Sequence, residues 1–408
     1  MSGKPNVFYG WWVVAACFLV ASFSWGLGLF GSSVYLQAIT AQHGWAVAQV
    51  ASAITLFFLV SASIQRIVGR SIDRWGPRPV LWTGTVSMAA GVALLGQVAA
   101  LWHLYACFVL IGVGWSTLST TGISATVTPW FERHQGRSIT LAIMGASVGG
   151  ILGVPLLLFA LSRLGIGPGL AVAGLTAACV LLPLIGWVLR FRGPADLGLQ
   201  RDGDVPSTGI APTPANPPIA THANRRVLLW SAAAGFALGL TVQIGFITHH
   251  LALAEPLLGT SGAGLLISAT GGAAFIGRLV LARIVDRVDV RRLAVTVMLI
   301  QTGALLAIAL WPTAPPVLIF ASLAYGYAIG HVTTLGPVVV RREFGAAAFG
   351  ATYGSAATII QFTSAFGPAL LGLLRDGFGS YGPGLAIAAL ATFTGGLALL
   401  LGGRRALR

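Results

Sequence analysis

The sequence predicts an all-α membrane protein with twelve transmembrane helices, arranged as two six-helix bundles related by pseudo-symmetry. Three observations support this fold class: the composition, the distribution of positive charge, and an echo between the two halves of the chain. Of the 408 residues, 56% are hydrophobic and only 8% are charged. Because soluble domains carry about 25% charged residues, this composition predicts a chain that lies in a lipid bilayer.

Twelve apolar segments are long enough to cross a membrane, since a spanning helix needs about 20 apolar residues for about 30 Å of hydrocarbon. The first segment does not read as a cleavable signal peptide, because its basic region is Lys4 alone and no small-residue cleavage site follows. The predicted spans are 9–36, 44–68, 79–100, 102–129, 138–162, 167–190, 227–253, 260–283, 293–311, 315–340, 346–373 and 381–402.

Positive charge predicts the orientation of these spans. Of the 24 Lys and Arg residues, 21 fall in the termini and in the connections on the same side of the membrane. Arg163 and Arg375 fall on the other side, and Arg278 falls within a span. By the positive-inside rule, we expect a multi-pass protein of the cell inner (plasma) membrane with both termini in the cytoplasm. The formal charge of +14 then reflects topology and contact with anionic membrane lipid, and not nucleic-acid binding.

The chain is predicted to consist of two bundles, 1–190 and 225–408, joined by a cytoplasmic linker, 191–224. The linker is polar and rich in proline, which is typical of a semi-rigid connection. Residues of one half recur in the other at offsets of 213, 213 and 211 positions: Asp73-Arg74 with Asp286-Arg287, Pro155 with Pro368, and Glu132 with Glu343. Repeats related by an axis along the membrane normal are typical of alternating-access carriers.

The connection after the second span carries a specific motif. Its sequence, Gly69-Arg70-Ser71-Ile72-Asp73-Arg74-Trp75-Gly76-Pro77-Arg78, resembles the cytoplasmic loop signature of the major facilitator superfamily. A tight, Gly-bounded loop can place a carboxylate to cap a neighbouring helix and pair with arginine, and such contacts can bias a carrier between two states.

The motif therefore predicts a role in conformational gating for Gly69, Asp73, Arg74 and Arg78, with Asp286 and Arg287 in the second half. The second copy departs from the pattern, with Ala282 in place of Gly69 and with Asp289 inserted. The alternative interpretation is a charged stop-transfer loop.

Three further stretches resemble the monocarboxylate-transporter branch of the superfamily and its bacterial relatives, which include oxalate–formate exchangers. They are Tyr9-Gly10-Trp11-Trp12-Val13-Val14, Trp130-Phe131-Glu132-Arg133, and Arg192-Gly193-Pro194-Ala195-Asp196-Leu197-Gly198-Leu199 with Asp202-Gly203. Asn6 precedes the first stretch, where the branch usually has an acidic residue. The second stretch leads into a helix with Ala142, Gly145 and Gly149, in which Ser138 and Thr140 stand where small Ala and Gly residues are expected.

Arg278 lies in a long apolar stretch with no acidic residue near it in sequence. A guanidinium at the centre of a span costs roughly 2.5–3.5 kcal/mol, so a functional reason is expected. Arg278 matches the eighth-span arginine of the branch, and this resemblance implies that it holds a substrate carboxylate. Gln65 occupies the repeat-equivalent position, eight residues before Asp73. The alternative is an arginine that snorkels to the lipid headgroups.

Departures from the branch pattern favour a monoanion as substrate. The chain has no lysine after Lys4, and Ala274 stands where eukaryotic members place an aspartate. Dianion exchangers add a second cation in the eleventh span, where this chain has Gln361. A lone arginine balances a monoanion better than a dianion.

None of the ten carboxylates lies well inside a predicted span, so the carboxylate relay of proton symporters is not expected. His331 is the titratable candidate, with Tyr327 four residues earlier on the same helix face. A structural histidine is the equal alternative. Gln243 and Gln361 are further candidates for a polar cavity. His249 and His250 are expected near the outer mouth, at the interface with the headgroups.

No catalytic, phosphate-binding or metal-binding pattern is found, so the sequence predicts neither an enzyme nor a cofactor. It predicts a monomeric secondary transporter of a small organic anion, with a monocarboxylate favoured and with proton coupling open. The transport would follow a rocker-switch form of alternating access. The alternatives are an exporter of hydrophobic, drug-like compounds and, less favoured, a non-transporting membrane sensor.

Overall fold

The computed structural model describes residues 8–203, 225–285 and 287–406. Every regular element in these ranges is helical, and twelve helices, α1 to α12, are long enough to be membrane spans. They are α1 Tyr9–His43, α2 Val47–Trp75, α3 Pro77–Leu95, α4 Leu101–Trp130, α5 Gln135–Leu164, α6 Ile166–Val188, α7 and α8 as residues 225–258 and 260–284 of the helical run Arg225–Ile284, α9 Val290–Leu310, α10 Pro315–Phe344, α11 Ala356–Phe378 and α12 Tyr381–Leu401.

The predicted membrane fold is confirmed, although several helices outrun their predicted limits. The second span, predicted as 44–68, is the helix Val47–Trp75. Hydropathy reports the part of a helix that lies in hydrocarbon, whereas backbone hydrogen bonding continues into the polar ends. α7 and α8 form one helical run, which kinks at Gly259, with φ of 68° and ψ of 168°. A side chain at that φ would be strained, so glycine marks the end of α7.

Two helices of the N-terminal half are irregular, and the irregular parts touch. α1 contains a π-helical turn, Gly26–Phe30, and α4 is interrupted at Ser119, which has an extended backbone. The rings of Trp25 and Trp115 lie 4.8 Å apart. The hydroxyl of Ser24 donates to the Leu118 carbonyl at 3.1 Å, which satisfies a carbonyl that the interruption frees.

The chain divides into two compact units. The first takes in Met1–Gly31 and Val60–Pro212, and the second takes in Ser32–Leu59 and Thr213–Arg408. Residues 32–59, which the boundaries predicted from the linker assign to the N-terminal bundle, make their contacts within the second of these units.

Hydrogen bonds hold segment 32–59 on the second unit. The Ala48 amide donates to the Asp376 carboxylate at 2.7 Å, and the Gln37 amide donates to the Glu255 carboxylate. Both carboxylates, which the sequence places near connections, thus act as acceptors for this segment.

Candidate functional site

The contact between α8 and α10 is close because glycines line it. A Cβ atom added at Gly330 would lie 2.2 Å from the Ala274 carbonyl oxygen and 2.9 Å from the Arg278 nitrogen. A Cβ atom added at Gly277 would lie 2.3 Å from the Tyr327 carbonyl oxygen. Small residues let helix backbones approach in membranes, and here they place Arg278 at the seam between the two helices.

His331 and Tyr327 lie at the same seam. A Cβ atom added at Gly277, next to Arg278, would be 3.1 Å from Nδ1 of His331. His331 is buried, and its Nδ1 donates to the Tyr327 carbonyl at 3.0 Å. The two rings lie 4.7 Å apart, so the predicted shared face is confirmed. In a neutral ring this bond leaves Nε2 as the acceptor, a tautomer assigned from the hydrogen-bond network.

The three glutamines of the prediction lie elsewhere. Gln243 is buried on α7, and its carbonyl oxygen accepts from the side chain of Gln301 on α9 at 3.2 Å. Gln361 is half-buried on α11. Gln65, in the first unit, donates to the Thr121 hydroxyl on α4 at 2.5 Å, two residues beyond the interruption. Of the predicted substrate residues, the seam therefore brings together Arg278, Tyr327 and His331.

The predicted gating residues lie where α2 turns into α3. Asp73 and Arg74 are exposed, and Gly69 faces open space among the described residues, so no close contact requires glycine there. The guanidinium of Arg78 lies 4.7 Å from the centre of the Trp82 ring. Its Nε atom is buried and has no hydrogen-bond partner among the residues that the structure describes.

The turn between α2 and α3 is held from the start of the linker. Gly76 has φ of +85°, which favours glycine, and α3 begins at Pro77 without a side-chain cap. Arg192 donates to the Trp75 carbonyl at 3.1 Å. A Cβ atom added at Gly76 would lie 3.0 Å from Nε of Arg192, so glycine also leaves room for this arginine.

The corresponding turn of the second half has a different cap. Asp286 lies outside the described residues, and Arg287 is exposed. Asp289, the residue that interrupts the motif, caps α9 by accepting from the Arg291 and Arg292 amides at 2.9 and 3.0 Å. The departure from the motif thus supplies a helix cap.

A family model settles the classification of this chain. The model described as the Major Facilitator Superfamily matches residues 14–368. The chain belongs to this superfamily.

Individual members of the superfamily are similar at low identity. "Monocarboxylate transporter 11" of Homo sapiens is 27% identical over 402 residues, which cover 93% of this chain and 80% of that protein. The "Oxalate:formate antiporter" of Oxalobacter formigenes is 29% identical over 161 residues, 40% of this chain and 38% of that one. "Multidrug resistance protein MdtH" of Shigella dysenteriae serotype 1 (strain Sd197) is 32% identical over 165 residues, 39% and 41% of the two chains.

Solved structures of the superfamily share the fold. A bacterial homolog to the human lysosomal transporter Spinster, in an inward-facing and occupied conformation, has a TM-score of 0.72 at 16% identity. The match covers 99% of this chain and 98% of that one. At this identity the likeness concerns the fold alone.

One buried ion pair among the described residues was not predicted from the sequence. Arg291 and Glu343 are buried, with Nε of Arg291 2.6 Å from the Glu343 carboxylate. The other nitrogens of Arg291 donate to Glu343, to the Ser231 hydroxyl, and to the Leu228 and Leu399 carbonyls at 2.8 to 3.0 Å. These bonds use all five donors and tie α7, α9, α10 and α12 together.

The three branch motifs, distant in sequence, converge in the first unit. The Tyr9 ring lies 5.4 Å from Trp130 and 5.5 Å from Phe191, and the Trp11 ring lies 4.9 Å from Phe131. These residues come from the start of α1, the end of α4 and the region after α6. Two of the motifs, together with Phe191, the residue before the third motif, therefore build one aromatic cluster.

Asp202 fastens the beginning of the linker to this cluster. Its carboxylate accepts from the Glu132, Arg133 and His134 amides at 2.9, 2.8 and 3.3 Å and lies 3.2 Å from Nδ1 of His134. Burial of Asp202 acts to raise the pKa of its carboxyl, but these hydrogen bonds outweigh burial and lower the pKa below its ordinary value. Asp202 adopts φ of 61°, and the contacts hold that strained backbone.

His249 and His250 are buried, so the prediction that they contact the headgroups is wrong, whereas their position near the outer mouth stays a prediction. Nε2 of His249 donates to the Pro368 carbonyl at 3.0 Å, and its Nδ1 lies 3.0 Å from the Tyr381 hydroxyl. Nε2 of His250 lies 3.0 Å from the Ser322 hydroxyl. Without water in the hydrocarbon, these rings find partners on neighbouring helices.

Proposed function

We propose that this protein is a secondary active transporter of small organic anions, preferentially monocarboxylates, that works by alternating access between two bundles. The observation that carries the proposal is Arg278, a cation within a membrane span. The backbone of Arg278 lies on the glycine-lined seam of α8 and α10, to which His331 and Tyr327 also belong. Intramembrane ionisable residues mark substrate or ion pathways, because their burial is costly.

Two further observations support an anionic substrate of unit charge. A monocarboxylate transporter is similar along 93% of the chain. Ala274, one helical turn before Arg278, offers no charge of its own and packs its carbonyl against Gly330. The guanidinium can donate two parallel hydrogen bonds to a carboxylate, a geometry in which arginine excels.

His331 is the candidate proton acceptor of the proposed cycle. Its Nδ1 donates to the Tyr327 carbonyl, so Nε2 is the atom that can bind a proton in a ring already held in place. The orientation with both termini in the cytoplasm, in the inner membrane, is part of the proposal and is supported by the distribution of positive charge.

The test is ligand-dependent stability of the detergent-purified protein across a panel of small monocarboxylates and dicarboxylates. A ligand that binds the folded state stabilises it by about 2.7 kcal/mol at one hundred times its Kd. We expect monocarboxylates to raise the melting temperature of the wild type and of Arg283→Gln, the matched control. Arg283 lies on the same helix and is exposed. In Arg278→Gln the shift should vanish while the ligand-free melting temperature is retained.

A second candidate function is export of hydrophobic compounds, which the similarity to MdtH over 39% of the chain favours. In that case Arg278 would be structural. Thermal shifts for neutral or cationic amphiphiles, unaffected by Arg278→Gln and without any shift for anions, would favour export and contradict the anion proposal. Flux into proteoliposomes separates both from a sensor, which would bind ligand without transporting it.

A further inference from the structure

An apolar groove runs along the outside of α3 in the first unit. It encloses about 630 Å³ between α3, α4 and α6. The groove is lined by Trp82, Thr83, Val86, Ser87, Ala90, Leu110 and Leu182. Trp82, Val86 and Ala90 follow one another at four-residue spacing, so they form a single stripe on the face of α3.

The polar atoms of the lining are already used within the protein. The Trp82 indole donates to the Leu182 carbonyl at 2.9 Å, and the Ser87 hydroxyl donates to the Leu110 carbonyl at 2.7 Å. The Thr83 hydroxyl donates to the carbonyl of Val80 at 2.8 Å. The groove therefore offers hydrocarbon to an occupant, which suits an acyl chain and not a sugar or a peptide.

The cationic side chain of Arg78 lies at one end of the stripe. Arg78 is four residues before Trp82, and its guanidinium lies 4.7 Å from the centre of the indole ring. Its buried Nε has no acceptor among the described residues. A guanidinium in this position is a donor for a phosphate group, which arginine binds through parallel hydrogen bonds.

The dimensions match one leaflet of a bilayer. Arg78 and Ala90 are twelve residues apart on one helix, which corresponds to about 18 Å along its axis. One leaflet contributes half of the hydrocarbon thickness of about 30 Å. A lipid chain that starts at Arg78 would therefore run the length of the stripe within its own leaflet.

We propose that this groove binds an anionic glycerophospholipid, with an acyl chain along Trp82, Val86 and Ala90 and the phosphate on Arg78. The site goes beyond the proposed function and does not depend on which anion is carried. The leaflet is the cytoplasmic one if the proposed orientation holds. Because Arg78 is the last residue of the motif Gly69–Arg78, in the first turn of α3, the lipid would bind at the loop motif of the superfamily.

Native mass spectrometry of the full-length protein in detergent tests the proposal, with phosphatidylglycerol, phosphatidylcholine and soluble glycerol 3-phosphate as probes. We expect phosphatidylglycerol to bind about tenfold more tightly than phosphatidylcholine. Both lipids carry the phosphate, but the quaternary ammonium of phosphatidylcholine offsets its charge and is repelled by Arg78. Arg78→Gln should abolish this preference, whereas Arg70→Gln, at an exposed arginine before the same turn, should keep it.

Filling the groove separates chain binding from headgroup binding. Val86→Trp leaves Arg78 in place and should weaken both lipids at least severalfold, whereas Leu156→Trp, on the exposed face of α5, should weaken neither. Melting temperatures check that each variant is folded, and Val86→Trp decides the matter if Arg78→Gln does not fold. Equal binding of the two lipids to the wild type, full binding by Val86→Trp, or glycerol 3-phosphate competing as well as the intact lipid would overturn the proposal.

Discussion

Two positions of the repeat, occupied by Arg78 and Glu132 in the first half and by Arg291 and Glu343 in the second, have opposite surroundings. Arg291 follows Arg78 by 213 positions, and Glu343 follows Glu132 by 211. In the second unit, Arg291 and Glu343 are buried, and Nε of Arg291 lies 2.6 Å from the Glu343 carboxylate. In the first, the Glu132 side chain is 73% exposed, and its carboxylate lies 3.9 Å from the guanidinium of Arg201, which is itself exposed.

This difference shows that a repeat conserves positions and not partners. In the second unit, Arg291 binds Glu343 and also donates to backbone carbonyls of α7 and α12. In the first, the linker supplies the contacts, since Asp202 binds the amides after α4 and Arg192 binds the turn after α2. One unit is fastened by an internal ion pair and the other by the chain that leaves it.

The largest expected effect comes from breaking the buried pair. Glu343→Gln leaves the Arg291 guanidinium buried without its counter-charge, which should destabilise the protein by about 3–5 kcal/mol. Glu132→Gln, at the exposed equivalent, should change stability by less than about 0.5 kcal/mol. Thermal unfolding in detergent measures both.

A double variant sharpens this result. Arg291→Met with Glu343→Leu removes both charges and should be more stable than Glu343→Gln, because no buried charge is left unpaired. Equal destabilisation by Glu343→Gln and Glu132→Gln would show that the two pairs are equivalent after all.

The helix seams of the two units differ in the same way. In the first unit, Gln65 on α2 donates to Thr121 on α4, and these residues correspond in the repeat to Arg278 and Thr334. In the second, α8 and α10 meet backbone to backbone at Gly277. A side-chain hydrogen bond connects α2 with α4, whereas close backbone contacts at glycine connect α8 with α10.

Enlarging a glycine should therefore disturb the second seam. Gly330→Ala places a Cβ atom 2.2 Å from the Ala274 carbonyl oxygen, and the overpacking should cost about 1–3 kcal/mol. Gly272→Ala on α8 is the matched control, since an added Cβ atom there meets no described atom within 4 Å. Anion-dependent stabilisation should fall in the first variant only. If Gly330→Ala behaved like Gly272→Ala, the seam would not fix Arg278.

The linker clamp of the first unit should be worth less. Asp202→Ala removes an acceptor of three amides and should cost about 1–2 kcal/mol, by analogy with the loss of a helix cap. Hydrogen exchange of residues 132–134 would rise in this variant and not in Asp196→Ala, whose carboxylate binds the Arg192 amide instead.

The pH dependence of this clamp has a defined sign. The folded pKa of Asp202 lies below the ordinary value of 3.8, so its contribution is present above that value and lost as the pH falls through the folded pKa. The stability difference between wild type and Asp202→Asn should thus not shrink as the pH falls from 8 to 5, and protonation of His134, 3.2 Å from the carboxylate, can only increase it. A difference that shrank on acidification above pH 5 would contradict the assignment.

The fold was predictable because each membrane span is recognised from its local composition. The contacts of Arg278 and Glu343 were not, because they depend on residues far away in sequence. The pairing of Tyr327 with His331 follows from helical periodicity and was predicted. Arg291 and Glu343 are 52 positions apart, and no periodicity links them. The burial of His249 depends on Pro368 and Tyr381, which are more than a hundred residues away.

The smallest expected effect distinguishes the two seams directly. Gln65→Leu keeps the size of the side chain and removes its hydrogen bond to Thr121, which should cost about 0.5–1.5 kcal/mol. Gln97→Leu, at an exposed glutamine between α3 and α4, is the control and should be neutral. Gln65→Leu should leave the stabilisation by monocarboxylates intact, because the proposed anion contact belongs to Arg278. Loss of that stabilisation would instead place the anion against the first unit as well, and the functional asymmetry of the repeats would be wrong.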